Sequence, residues 1–185
     1  LVLMSFLMVL ILFTGAVSAV SLNSSDIELA SSGVKNYTEA NSHVPSYVDV
    51  NGKNSSTASY LNTAAKFTTE LNSGTTSAVT ISTVNAASSP SGSATGQLSK
   101  SEYVSIASHI TSFISTNGRA PNYASSTLGN IRYESLVYTY SKIIDFYATN
   151  GRLPNYVTVV YYSGTGSTGV SLCSNLNICN NRTQK

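Results

Sequence analysis

The heptapeptide Asn117-Gly118-Arg119-Ala120-Pro121-Asn122-Tyr123 recurs as Asn150-Gly151-Arg152-Leu153-Pro154-Asn155-Tyr156. The two copies begin 33 residues apart, at residues 117 and 150, and they differ only at the residue before the proline. A fixed spacing in this range indicates a repeat architecture, in which each copy is one supersecondary unit. We therefore interpret the chain as copies of one unit and the segments between them.

An amphipathic helix is predicted before each heptapeptide. Apolar side chains recur at helical spacing, at Tyr103, Ile106, Ala107, Ile110, Phe113 and Ile114, and again at Leu136, Tyr140, Ile143, Ile144 and Tyr147. Gly118 and Gly151 follow, at the position where a helix C-terminus favours a residue with positive φ. Pro121 and Pro154 prevent the helices from resuming. Val157-Thr158-Val159 is β-branched and predicts a short strand.

Two weaker copies precede this pair. Residues 41–50 keep the Asn, Pro, Tyr and strand of the unit but lack the Gly-Arg pair, and helical patterns flank them at residues 26–40 and 60–71. Residues 72–81 have Thr76 and Ala78 in place of the Pro and Tyr, and we interpret them as a degenerate copy. Asn51-Gly52 predicts a tight hairpin turn, and Gly129-Asn130 would be the equivalent turn of the later pair.

These units predict an α+β fold of small repeats, each an amphipathic helix, a Gly/Pro turn and a short strand, stacked in pairs. Such short helices need a neighbour to bury their apolar faces. The predicted organisation is a first repeat pair over residues 20–84, a flexible linker over 85–101 and a second repeat pair over 102–160. A Gly/Ser-rich linker and a cysteine-containing tail follow over 161–185.

An export signal is predicted at residues 1–19. Residues 1–13 are almost wholly apolar, and Ala16-Val17-Ser18-Ala19 supplies a small-residue processing site. No basic residue precedes the apolar run, so we expect this signal peptide to be truncated at its N-terminus. An uncleaved membrane anchor is the alternative, although the apolar stretch is marginal for a span. Either interpretation predicts that the remainder is exported, and we expect a secreted protein at the cell wall or cell surface.

Composition argues against several functions. Charged residues make up 10% of the chain and the formal net charge is +2, which gives no basic footprint for nucleic acid. No spacing suggests a catalytic site, a metal site or a cofactor site, and neither His43 nor His109 is placed as a catalytic base. Cys173 and Cys179 are candidates for one disulfide in an exported chain, with free or intermolecular thiols as the alternative.

The repeats resemble the pseudomurein-binding repeat, a family of cell-surface proteins and wall-lytic enzymes of methanogenic archaea. The likeness rests on the helix ending in Asn-Gly-Arg-Leu-Pro-Asn-Tyr-Val-Thr-Val and on the aromatic-rich helix at Tyr133, Leu136, Tyr138 and Tyr140. It is close over residues 103–159 and moderate over 34–71. The resemblance implies non-catalytic attachment to the wall polymer, either to its glycan or to its peptides.

Seven residues are candidates for ligand binding: Tyr47, Arg119, Asn122, Tyr123, Arg152, Asn155 and Tyr156. A tyrosine face can cover the apolar face of a sugar, while Asn and Arg groups bond its polar rim. For the tyrosines, packing in the core between helices is the alternative. For the asparagines, a hydrogen bond to the turn backbone is the alternative.

Two other functions remain open at this stage. The sequence could be the N-terminal targeting part of a wall-lytic cysteine endopeptidase or transglutaminase-like enzyme whose catalytic domain is absent here. It could also be a structural or adhesive surface protein whose repeats self-associate. The oligomeric state is not predicted.

Overall fold

The computed structural model describes residues 21–50, 52–75 and 77–170. The fold is α+β, as predicted, and the predicted signal peptide and both cysteines lie outside the described residues. The elements are β1 (Ser21–Leu22), α1 (Ser24–Asn41), β2 (Tyr47–Val50), β3 (Lys53–Ser56), α2 (Thr57–Ser73), β4 (Val79–Thr80), β5 (Gly96–Ser99), α3 (Lys100–Asn117), β6 (Tyr123–Ser126), β7 (Gly129–Arg132), α4 (Tyr133–Asn150) and β8 (Tyr156–Val159).

Each repeat is a strand–helix–strand unit. We name the units 1 to 4, over residues 21–50, 53–80, 96–126 and 129–159. In units 1 and 2, β2 pairs with β3 and β1 pairs with β4; in units 3 and 4, β6 pairs with β7 and β5 pairs with β8, all antiparallel. Each pair of units is therefore closed by its own outer strands. The sequence did not predict the outer strands β1 and β5, which precede α1 and α3.

The degenerate copy keeps the fold of the other three. Helix α2 ends at Ser73 and is capped by Gly74, which adopts φ 74°, and Val79 of β4 pairs with Leu22 of β1. The loss of the Pro and Tyr in this copy therefore leaves the strand–helix–strand unit intact.

One of the two predicted hairpin turns is wrong. Strand β2 ends at Val50 and β3 begins at Lys53, so the first turn lies where predicted, with Gly52 at φ 78°. In the second hairpin the turn lies at residues 127–128, and Gly129 already pairs with Ser126. Its φ of 103° identifies a strand position that favours glycine, which a sequence pattern does not distinguish from a turn position.

The predicted flexible linker over 85–101 is also wrong, because most of it belongs to the folded structure. Residues 96–99 form β5 and Lys100 begins α3. Ahead of them the connecting segment (residues 85–94) lies against unit 3, with its Asn85 amide donating to the Gly118 carbonyl at 3.0 Å. Because the segment has no apolar periodicity, its hydrogen bonds to the turn could not be predicted from the sequence pattern.

A second segment mirrors the connecting segment. The trailing segment (residues 163–170) falls where a linker was predicted, yet it lies parallel to β2 of unit 1. The Asp49 amide donates to the Val170 carbonyl at 2.8 Å, and the Val170 amide donates to the Tyr47 carbonyl at 3.0 Å. The segment that follows each pair of units therefore lies on the first unit of the other pair.

The helices pack between the two pairs of units. Helix α1 packs mainly on α4, and α2 packs on α3 and α4, around one shared apolar core. Tyr138 of α4 donates its hydroxyl to Glu39 of α1 at 2.7 Å, and this bond lowers the pKa of the Glu39 carboxyl. The predicted helix stripes supply the buried side chains Ile27, Ala30, Val34, Tyr60, Ala64, Phe67, Tyr103, Ile106, Ala107, Ile110, Ile114, Leu136, Tyr140, Ile143 and Ile144.

Among the described residues, none of the helices combines the length and apolar character that crossing a membrane requires.

Candidate functional site

The helix ends fix where the heptapeptides begin. Gly118 and Gly151 cap α3 and α4 in the left-handed conformation, with φ of 65° and 66°, as the sequence predicted. The Asn117 side-chain amide donates to the Phe113 carbonyl at 2.8 Å, and Asn150 repeats the bond one unit later at the same distance. Both asparagines are thus helix-end residues, whose side chains donate hydrogen bonds to carbonyls of the last helical turn.

The arginine of each heptapeptide lies over an aromatic ring. The Arg119 guanidinium is 5.1 Å from the centre of the Phe113 ring, and Arg152 is 5.3 Å from that of Phe146. Each guanidinium also donates to the carbonyl of the next residue, at 3.3 Å for Arg119 and 3.5 Å for Arg152. These contacts hold the two cations against rings of the preceding helix, an arrangement stabilised by attraction to the ring face.

Unit 1 builds the same arrangement from other residues. His43 takes the place of the arginine, with its ring centre 5.6 Å from that of Tyr37. Ser42 replaces the cap glycine and adopts φ 60°. Unit 2 has Thr69 and Thr75 at the positions of the aromatic residue and the arginine, so it lacks the pair of an aromatic ring and a basic side chain. The roles of Phe113, Phe146, Tyr37 and His43 were not predicted. The available signal was that a basic residue follows an aromatic one six positions later in each of these units.

Tyr47, Tyr123 and Tyr156 begin strands β2, β6 and β8, and none of them is in the core. Their side chains are 37%, 43% and 59% exposed, respectively. By contrast, Tyr103 is fully buried and donates its hydroxyl to the Pro154 carbonyl at 2.6 Å. Packing of the three heptapeptide tyrosines in the core is therefore wrong. A fourth exposed tyrosine, Tyr161, was not predicted.

A groove of about 490 Å³ lies between helix α3 and strand β6. It brings together Arg119, Asn122 and Tyr123, three of the seven predicted residues, all from unit 3. Helix α3 supplies an apolar wall, and the exposed His109 stands on its rim. The full lining is Ile106, His109, Ile110, Phe113, Arg119, Pro121, Asn122, Tyr123, Ala124 and Ser125. We call this space the unit 3 groove.

Asn122 has a structural role at the edge of the unit 3 groove. Its side-chain oxygen accepts the Ser89 amide at 2.9 Å, and its carbonyl accepts the Ser91 amide at 3.1 Å. These bonds hold the connecting segment beside the turn. The alternative considered for the asparagines was a bond to the turn backbone; the backbone partner of the Asn122 side chain belongs instead to the connecting segment.

The other four predicted residues do not line the unit 3 groove. Arg152, Asn155 and Tyr156 form an exposed cluster on unit 4, where Lys142 occupies the position that His109 has in unit 3. The Lys142 ammonium lies 3.4 Å from the Thr158 carbonyl and 5.3 Å from the Tyr138 ring centre, and burial lowers its pKa. Tyr47 lies against the trailing segment.

A second groove, of about 700 Å³, separates α2 from α3. Its lining is mainly Ser and Thr hydroxyls and includes Lys66 but no aromatic ring, so it offers no flat apolar face to a sugar. Within the described part of the chain, no three His, Cys, Asp or Glu side chains lie close enough together to hold a metal ion.

Comparison with known proteins agrees with this architecture. A search of curated protein sequences gave no match to the chain. The family model of the pseudomurein-binding repeat matches residues 94–126 and 127–159. The boundary between the two matches falls in the turn between β6 and β7, so each match spans one strand–helix–strand unit. Residues 94–159 therefore match two tandem copies of the pseudomurein-binding repeat.

Proposed function

We propose that this chain is a non-catalytic wall-binding protein, which anchors an exported protein to pseudomurein through its tandem repeats. The observation that carries the proposal is the unit 3 groove, where Arg119, Asn122 and Tyr123 converge inside a matched repeat. The groove lies within a repeat that the binding-family model matches, and residues of the repeated heptapeptide line it.

The groove has the chemistry of a site for a polar polymer. Tyr123 presents an exposed ring that can cover the apolar face of a sugar or of a peptide unit. Arg119, held over Phe113, keeps guanidinium donors at the groove for carbonyl or acetamido oxygens. A preformed groove with an apolar wall and a few placed polar groups is the usual form of a ligand site.

Unit 4 supplies a second contact. Arg152, Asn155 and Tyr156 are all exposed, and Tyr156 is the most exposed of the heptapeptide tyrosines. Two weak contacts with one immobile polymer reinforce each other, because the second binding event is intramolecular. A wall anchor can therefore hold firmly without a single tight site.

We also propose that the protein is secreted and retained at the cell wall or surface after cleavage of its signal peptide behind Ala19. The apolar residues 1–13 and the small residues at 16–19 support this step.

A sedimentation assay with purified pseudomurein sacculi tests the function, with bacterial murein as control. The chain from residue 20 onward is compared with a variant carrying Tyr123→Ala and Tyr156→Ala, checked for folding by circular dichroism. We expect selective binding by the native chain and loss of binding in the folded variant. Absence of selective binding by the native chain would refute the proposal, and self-association in analytical ultracentrifugation would then support an adhesive function.

A further inference from the structure

In unit 1 the place of the unit 3 groove is filled by the chain itself. Tyr37, His43 and Tyr47 of unit 1 correspond to Phe113, Arg119 and Tyr123 of unit 3. The trailing segment lies against all three. Its Gly169 is so close to Tyr47 that a Cβ there would be 2.5 Å from the ring, and a Cβ at Gly166 would be 2.6 Å from the Tyr37 hydroxyl.

The trailing segment binds in unit 1 as an added strand. It runs parallel to β2, and two hydrogen bonds join it to the outward edge of that strand: from the Asp49 amide to Val170 at 2.8 Å, and from Val170 to the Tyr47 carbonyl at 3.0 Å. A third polar contact, 2.7 Å, joins the Tyr37 and Thr168 hydroxyls. Glycine backbone, rather than side chain, packs on the aromatic and imidazole rings.

Unit 3 presents the same strand edge. A two-residue turn joins β6 to β7, so the backbone groups of Ala124 and Ser126 form hydrogen bonds with β7. The backbone N–H and C=O groups of Tyr123 and Ser125 therefore point away from β7, to the outward edge of β6. The Tyr123 carbonyl and the Ser125 amide therefore match the outward groups of Tyr47 and Asp49. Beyond its contact with Asn122, the connecting segment follows β7 instead of β6, because its Ala94 amide donates to the Asn130 carbonyl of β7 at 3.1 Å.

We propose that the unit 3 groove binds an extended peptide with small side chains, which adds as a parallel strand to the outward edge of β6. The Ser125 amide and the Tyr123 carbonyl are its backbone partners, while Tyr123 and Phe113 pack on its backbone. The inference rests on the proposed function, and it identifies the ligand as a peptide of the wall polymer rather than its glycan. Strand addition of this kind gains affinity from main-chain hydrogen bonds.

The test uses Ser125→Pro, which removes the outward amide and spares the bonds to β7. Proline is tolerated at an edge strand when its missing N–H would face outward. Ser125→Ala is the matched control, because it removes the hydroxyl and keeps the amide. Each chain is assayed for binding to intact sacculi, with the isolated peptide fraction and the isolated glycan fraction of pseudomurein as competitors.

We expect the peptide fraction to compete and Ser125→Pro to bind sacculi roughly two- to tenfold more weakly than Ser125→Ala, the range for one lost hydrogen bond. In the native chain, the peptide fraction should also slow hydrogen exchange at the Ser125 amide, a readout that does not depend on the variant folding.

Competition by glycan alone with an unaffected Ser125 amide would overturn this inference and leave wall binding intact. No binding of the native chain to sacculi would overturn both. A dimer broken by Ser125→Pro would identify a second copy as the occupant and also overturn it.

Discussion

The Arg119 guanidinium lies 5.1 Å from the centre of the Phe113 ring, and the same relationship recurs between Arg152 and Phe146 at 5.3 Å. The helix cap fixes this geometry, because a left-handed glycine directly after the last turn sends the next side chain back over the helix. The arginine is thereby ordered before any ligand arrives, which reduces the entropy lost on binding.

Removal of Arg119 should weaken wall binding far more than it weakens the fold. The Arg119→Ala variant loses a partly exposed cation–π contact, worth about 0.5–1 kcal/mol, so its free energy of unfolding should fall by no more than that. Sacculus binding should fall severalfold, measured by sedimentation beside urea unfolding. Lys53→Ala, at an exposed position of β3, is the control for loss of one positive charge. Equal binding by both variants would remove Arg119 from the site.

Loss of the hydroxyl should destabilise the fold much more at a buried tyrosine than at an exposed one. Tyr103→Phe leaves the Pro154 carbonyl without its buried donor, at a cost of about 1–3 kcal/mol. Tyr156→Phe changes an exposed side chain and should cost less than about 0.5 kcal/mol. Urea denaturation of the two variants measures both values. Equal destabilisation would contradict the assignment of Tyr103 to the core and Tyr156 to the surface.

The cap positions predict a stabilising substitution. Ser42 adopts φ 60°, which glycine accepts more readily, so Ser42→Gly should raise the free energy of unfolding by about 0.5–1 kcal/mol. The reverse change, Gly118→Ala at φ 65°, should lower it by about 1 kcal/mol. Thermal unfolding of both variants tests the pair. A destabilised Ser42→Gly chain would mean that the serine side chain contributes more than its backbone strain costs.

The chain should lose stability in alkaline solution. Burial raises the pKa of Tyr103 to about 12, and it also raises the pKa values of the buried Tyr60, Tyr133 and Tyr140. In the unfolded chain these hydroxyls lose their protons near pH 10. The unfolded state then binds fewer protons than the folded state, so stability is complete below about pH 10 and falls as the pH rises further.

Each such tyrosine should contribute a loss of about 1.4 kcal/mol per pH unit above its unfolded pKa. Urea unfolding at about pH 9, 10 and 11 measures the slope, and Tyr60→Phe should reduce it by one tyrosine's share. A Tyr60→Phe chain with the native slope would show that Tyr60 titrates normally in the folded state.

The trailing segment should be released by a single methyl group. Gly169→Ala places a Cβ within 2.5 Å of the Tyr47 ring, so either the ring or the segment must move. We expect faster hydrogen exchange at the Asp49 and Val170 amides, which join the segment to β2. Ser167→Ala, in an exposed part of the same segment, is the control. Unchanged exchange in Gly169→Ala would mean that the contact contributes little to docking.

Local patterns in the sequence predicted the helices, their glycine caps and the strands after the prolines. These features follow from residues within one or two turns of each other, such as the apolar stripe of α3 and Gly118 at its end. The same repeats identified Arg119, Asn122 and Tyr123 as a group, and the structure brings those three together in one groove. The binding role of all seven candidate residues stays a prediction.

What lies outside these patterns was decided by the tertiary structure. Segments 85–94 and 163–170 have the composition of linkers, and their docking depends on backbone groups that neighbouring units leave open. Because every residue type except proline has the same backbone donor and acceptor, amino-acid composition does not predict these hydrogen bonds. The burial of Tyr103 likewise depends on unit 4, where its hydroxyl donates to the Pro154 carbonyl and its carbonyl accepts the Tyr140 hydroxyl. The sequence by itself therefore determined the repeated unit, while the packing of distant units decided which copy keeps an open groove.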